Sequence, residues 1–179
     1  QRRILNQLLE STLGEAEASL RQIYDRHAPL MSFLGDLNVP LPRALRAVAE
    51  FVLNTQLRRS LQDEGLDATR IRSLLDTAAR ENVTLDRSGL GFAFGGTLER
   101  LMARLVDEPS DVATLERLDE AARLLKTLPF EVNLWNVQNA FYEILSRSRP
   151  EFMARTDEAA VAWVARLRSL GETLSVKVP

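Results

Sequence analysis

The stretch that decides the fold is Ala44-Leu45-Arg46-Ala47-Val48-Ala49-Glu50-Phe51-Val52-Leu53-Asn54-Thr55-Gln56-Leu57-Arg58-Arg59-Ser60-Leu61. Its apolar residues Leu45, Val48, Ala49, Val52, Leu53, Leu57 and Leu61 recur at steps of three and four, so they fall on one side of a helix. Pro42 sits where a helix can begin without losing a hydrogen bond, and Gly65 follows as a stop. An alternating strand pattern would have scattered these residues to both faces.

The same spacing extends in both directions. Upstream, Ile4, Leu5, Leu8 and Leu9 open a helix, with a possible capping box at Thr12 and Glu15 that would restart it. It continues through Leu20, Ile23 and Tyr24. Pro29 then either kinks this helix or opens a short one through Met31, Phe33 and Leu34. Val39-Pro40-Leu41-Pro42 reads as a turn. Downstream, Asp67 is placed to cap a helix carrying Ile71, Leu74, Leu75 and Ala78, and Asp86 one through Leu90, Phe94, Leu98, Leu101, Met102 and Leu105. Pro109 and Ser110 precede a stripe of Val112, Leu115, Leu118, Ala122 and Leu125. Beyond Pro129, Leu134, Val137, Phe141, Ile144 and Leu145 share a face. Thr156, Asp157 and Glu158 suit the start of a last helix with Val161, Trp163, Val164, Leu167 and Leu170, closed by Gly171. Only Leu174 to Val178 alternates like a strand, as a tail or as an addition to a sheet from elsewhere. The expectation is an all-α fold, a compact bundle of about seven helices forming a single domain over residues 1–179.

Composition narrows the function classes. The chain has 179 residues, 45% hydrophobic and 27% charged, with a formal net charge of −2. That is ordinary globular composition, without the basic field that nucleic-acid binding requires. The arginines at 43, 46, 58, 59, 100, 104 and 117 are spread over several helices and read as a solvated exterior. There is no cysteine, which excludes disulfides, zinc ribbons and thiol catalysis and fits a reducing compartment. No apolar run approaches the about 18–20 residues of a membrane helix. A cytoplasmic location is expected, and a chain that enters helix at once from Gln1 reads as part of a longer polypeptide.

No catalytic constellation is visible. Gly89, Gly91, Gly95 and Gly96 cluster, but a phosphate loop would need a preceding strand and a lysine. As helix residues, Ser88, Gly91 and Gly95 line one flank and Gly89, Ala93 and Gly96 the next. That smooth strip would let another helix approach closely. His27 is the only histidine and reads as a helix-end or turn residue. The acidic pairs at Asp63-Glu64, Asp107-Glu108 and Asp157-Glu158 lie at helix boundaries and do not span a cleft as a glycosidase pair must. No metal ligands and no cofactor are expected.

The segment from Leu128 to Glu143 is richer. With Leu134, Val137, Phe141 and Ile144 on the core side, Glu131, Trp135, Gln138 and Tyr142 would share a second face, with Asn136, Asn139 and Glu143 beside it. Asparagine is a mediocre helix former, so Asn133, Asn136 and Asn139 imply partly buried amides, bonded within the domain or to a partner. Glu131, Trp135, Gln138, Asn139 and Tyr142 are therefore the candidate ligand or inter-domain face. Ser88, Gly91, Gly95 and Gly96 are the candidate close-packing strip.

Three stretches also carry a resemblance: Ala28-Pro29-Leu30-Met31 through Val39-Pro40-Leu41-Pro42; Ala49 to Thr55 with Leu57-Arg58-Arg59; and Leu128-Pro129-Phe130-Glu131-Val132-Asn133-Leu134-Trp135 with Gln138-Asn139. From about residue 20 onward the chain resembles the helical C-terminal domain of large bacterial proteins whose N-terminal part is similar to glycoside hydrolase family 57. The resemblance implies an upstream distorted β/α barrel that acts on α-glucans with retention, through a glutamate nucleophile and an aspartate acid. None of that barrel lies in this sequence, so no catalytic residue carries over. Gly95-Gly96 depart from the larger residues expected there, which puts in doubt a helix running smoothly through them. The implied partners are the upstream catalytic domain and α-glucan, with no nucleic acid and no membrane. A helical interaction or oligomerisation module without sugar binding is the alternative.

Overall fold

The computed structural model describes residues 2–147, 149–154 and 157–176. Among these the fold is all-α, with eight helices and no strand: α1 (Arg2–Asp36), α2 (Arg43–Gln62), α3 (Ala68–Arg80), α4 (Arg87–Asp107), α5 (Val112–Leu125), α6 (Trp135–Arg147), the single-turn α7 (Arg149–Met153) and α8 (Glu158–Thr173). No helix is long and apolar enough to cross a membrane among the described residues. Contacts divide the chain into two compact units. The first comprises Gln1–Leu57 and Thr69–Asp86, and the second Arg58–Ala68 and Arg87–Pro179.

The first unit is built on α1, whose 35 residues run unbroken through Thr12, Glu15 and Pro29. The expected restart at Thr12 is therefore absent, and His27 lies half-buried inside the helix, not at its end. Tyr24 and Met31 of α1 bury against Ala49, Val52 and Leu53 of α2 and Ala78 of α3. The α2 stripe read from the sequence is the buried one. Asn54 ties the chain after α3 to α2: its Nδ2 donates to the Thr84 carbonyl at 3.0 Å, and its Oδ1 accepts from the Asp86 amide at 2.7 Å.

Both α1 and α3 end by the same device. Asn38 and Asn82 take left-handed backbone, with φ of 53° and 51°. The next amide then reaches back five residues, Val39 to Leu34 and Val83 to Ala78, each at 2.8 Å. This is the Schellman closure, for which asparagine is tolerated because its short side chain carries little steric penalty there. Among the described residues no glycine has a positive φ.

In the second unit α4 packs against α5 and α6, α5 against α8, and α7 against both α6 and α8. Leu90, Phe94, Leu98, Leu101, Met102 and Leu105 present a fully buried stripe from α4. The helix passes straight through Gly95 and Gly96, so the interruption that these residues suggested does not occur. Trp163 of α8 is buried, stacks on Phe152 at a centroid distance of 4.0 Å, and donates its indole N–H to the Pro109 carbonyl at 2.7 Å. Asp111 caps α5, and Asp157 caps α8 by accepting from the Ala160 amide. Thr156, the expected cap, lies outside the described residues.

The C-terminal end corrects two expectations. Gly171 does not stop α8; it is buried within it. The stop is Ser175, at φ 58°, with the Val176 amide bonded to the Gly171 carbonyl at 2.8 Å. The alternation at Leu174 and Val176 arises because both residues fold inward around this closure and bury. Residues 177–178, the rest of the expected strand, lie outside the described residues.

Candidate functional groove of the second unit

The glycines of α4 determine where the groove forms. A Cβ at Gly91 would run into the carbonyl oxygen of Glu131, and one at Gly95 would lie 3.5 Å from the Asn133 carbonyl and 3.6 Å from Val132 Cγ1. The neighbour that lies along the small-residue strip is thus the backbone of an irregular segment, residues 126–134, and not a helix. Pro129 lacks the amide a helix would use. Asn133 ends the segment by accepting a hydrogen bond from the Trp135 amide at 3.0 Å, where α6 begins.

Between this segment and α4 lies an open groove of about 430 Å³. Its α4 wall carries Ser88, Phe92, Gly96 and Glu99, with Gly91 and Gly95 at the base, and Glu131, Asn133 and Asn136 form the other side. A second cavity, of about 520 Å³, shares Ser88 and Glu131 and runs on past Arg87, Pro129 and Phe130.

Two features give the groove chemical character. Phe92 projects from α4 with 86% of its surface exposed. Carboxylates stand on both sides, Glu99 from α4 and Glu131 from the segment, and Glu99 accepts from Asn136 Nδ2 at 2.8 Å. Arg100 runs beside Gly96 but is committed elsewhere, to Glu64 at 3.3 Å, the Gln62 carbonyl at 3.1 Å and Thr97 Oγ1 at 2.9 Å, while Arg87 lines the adjoining cavity. Among the described residues no three His, Cys, Asp or Glu side chains gather as a metal site would require.

The residues singled out from the sequence separate. Ser88, Gly91, Gly95, Gly96 and Glu131 all line the groove. Glu131 precedes α6, so it does not continue the helical face of Trp135 and Tyr142. Those two are exposed by 67% and 53% away from the lining. Gln138 is half-buried and donates to the Leu174 carbonyl at 2.8 Å, holding the end of α8. Asn139 is exposed, as are Asn133 and Asn136, so within this chain the amides are not partly buried, although Asn133 and Asn136 are hydrogen-bonded, to the Trp135 amide and to Glu99. Phe92 was the residue missed. Its signal was legible: it stands two positions from both Leu90 and Phe94, out of phase with the buried stripe, and so must face outward.

No family model, no curated protein and no solved structure matches this chain.

Proposed function

We propose that this chain is a non-catalytic helical accessory domain of a family 57-like carbohydrate-active enzyme, packing on the catalytic barrel of the same polypeptide and contributing to α-glucan binding. The observation that carries the reading is Phe92, the most exposed large apolar side chain among the described residues, set in a groove. Isolated exposed apolar residues are common, but aromatics at concave, polar-rimmed sites mark contact surfaces. Of the wall facing Phe92, Glu131 and Asn133 belong to the Leu128–Trp135 stretch, one of the three that carry the resemblance.

The test uses the full polypeptide that includes the barrel. Phe92→Ala lowers α-glucan hydrolysis and hastens proteolytic separation of the two domains, while the thermal stability of the 179-residue chain alone stays unchanged. Unaltered hydrolysis and proteolysis would remove the docking reading. Soluble α-glucan titrated onto this chain, followed through tryptophan fluorescence or calorimetry, addresses the sugar contact, which falls if no saturable response is found.

One observation favours a second reading, an interaction or oligomerisation module. Leu9, Leu13, Leu30 and Phe33 of α1 and Leu37 just after it are exposed by 48–66%. Sedimentation at increasing concentration separates the readings: persistent monomer removes the oligomer.

A further inference from the structure

The groove also indicates what kind of group it receives. We infer that its occupant is an arginine side chain, presented by the domain that docks there. This rests on the docking reading above.

Three properties converge on a planar cation. First, the lining of the groove holds two carboxylates, Glu99 and Glu131, and no cationic side chain. Of the bases beside it, Arg100 is already bonded to Glu64, Thr97 and the Gln62 carbonyl, and Arg87 lines the adjoining cavity, not the groove. Second, Phe92 is open on its faces, and an aromatic face attracts a cation, guanidinium more often than ammonium. Third, the base is glycine, with the Glu131 and Asn133 carbonyl oxygens packed against Gly91 and Gly95. A flat base with carboxylates on both sides suits a group that is planar, stacks, and spends its donors in its own plane. Guanidinium has this combination, and the compact, strongly hydrated ammonium of lysine does not.

Asn136 adds preorganisation. Its amide holds Glu99 at 2.8 Å, so one carboxylate is oriented before anything binds, and less order remains to be imposed on association. A neutral sugar would stack on Phe92 as well, but it would make no use of the charge on the two carboxylates.

The test is a nuclear magnetic resonance titration of this chain with acetyl-Gly-Arg-Gly-amide, the matching Lys peptide, and a soluble α-glucan oligosaccharide. The Arg peptide gives saturable shifts at the Phe92 ring and the Asn136 side-chain amide, weakened by added salt, with the Lys peptide weaker. Phe92→Ala and the double change Glu99→Gln with Glu131→Gln each weaken the Arg peptide about tenfold, the scale of losing an interface anchor. These side chains are exposed, so unchanged amide spectra elsewhere confirm folding. The inference is overturned if the Arg peptide gives no saturable shift, if the double variant binds it equally well, or if the glucan alone moves Phe92. Arg-peptide binding with Phe92→Ala silent in the full polypeptide upholds the groove's preference for guanidinium and sinks the docked domain as its source. Domain separation by Phe92→Ala without any Arg-peptide binding does the reverse.

Discussion

Alanine substituted at two glycines only five positions apart on α4 should move stability in opposite directions. In a helix interior, Gly→Ala gains about 1 kcal/mol through backbone entropy and propensity. At Gly96 that gain is realised, because the nearest atom to an added Cβ is a guanidinium nitrogen of Arg100 at 3.7 Å, an ordinary contact on a flexible side chain. At Gly91 the added Cβ meets the Glu131 carbonyl, a backbone atom in a segment whose neighbours Val132 and Asn133 also press on α4. Overpacking of this kind costs about 1–3 kcal/mol, which exceeds the propensity gain for most of that range. The expected separation is about 2 kcal/mol, with Gly96→Ala melting about 2–4 °C above the parent and Gly91→Ala below it. Urea denaturation followed through the two tryptophans reads the second unit, which contains both. If Gly91→Ala is as stable as Gly96→Ala, the Glu131 carbonyl does not sit where the groove requires it.

Two further predictions test each unit separately. In the first unit, Glu81 is buried and accepts from the Tyr24 hydroxyl. Burial raises its carboxyl above the ordinary value of 4.5, although hydrogen bonds from Tyr24 and Ser32 and the charge of Arg80 oppose the shift. A raised folded pKa means that stability is fullest in acid and is lost as pH rises through the folded value. Relative to Glu81→Gln, the parent should lose stability as pH rises above the ordinary carboxyl value of 4.5, measured as the difference in urea midpoints. A constant difference, or a gain for the parent, contradicts this. In the second unit, Trp163→Phe keeps an aromatic ring for Phe152 but strands the Pro109 carbonyl and leaves a void, for about 2–4 kcal/mol by thermal melting. A loss under about 0.5 kcal/mol, the range of an inconsequential surface change, would refute that packing.

The helices were legible because their core faces repeat without conflict. Leu45 to Leu61 and Leu90 to Leu105 need no neighbour to be read, since spacing alone assigns them a side. Helix ends were less so. Ser175 holds the left-handed backbone that ends α8, where Gly171 was expected to close the helix, Asn38 and Asn82 do the same for α1 and α3, and glycine instead serves close approach, as at Gly91. The groove was half visible. Glycine on α4 announced a near neighbour, but the neighbour comes from residues 126–134, and no local pattern specifies a contact between segments so far apart in sequence. Glu131 was read as helical because apolar periodicity resumes just after it; Pro129 and the Asn133 side chain delay the helix until Trp135.

Asn54 carries a liability of a different kind. One carboxamide serves three backbone groups, the Glu50 and Thr84 carbonyls through its nitrogen and the Asp86 amide through its oxygen. Hydrolytic ageing of that amide to a carboxylate would replace the donor by an anion facing two carbonyl oxygens. The change adds less than one mass unit and leaves every apolar contact in place, yet it would release the chain that joins α3 to α4. Old preparations of this protein would then differ from fresh ones in a local opening, first seen as faster amide exchange at Asp86.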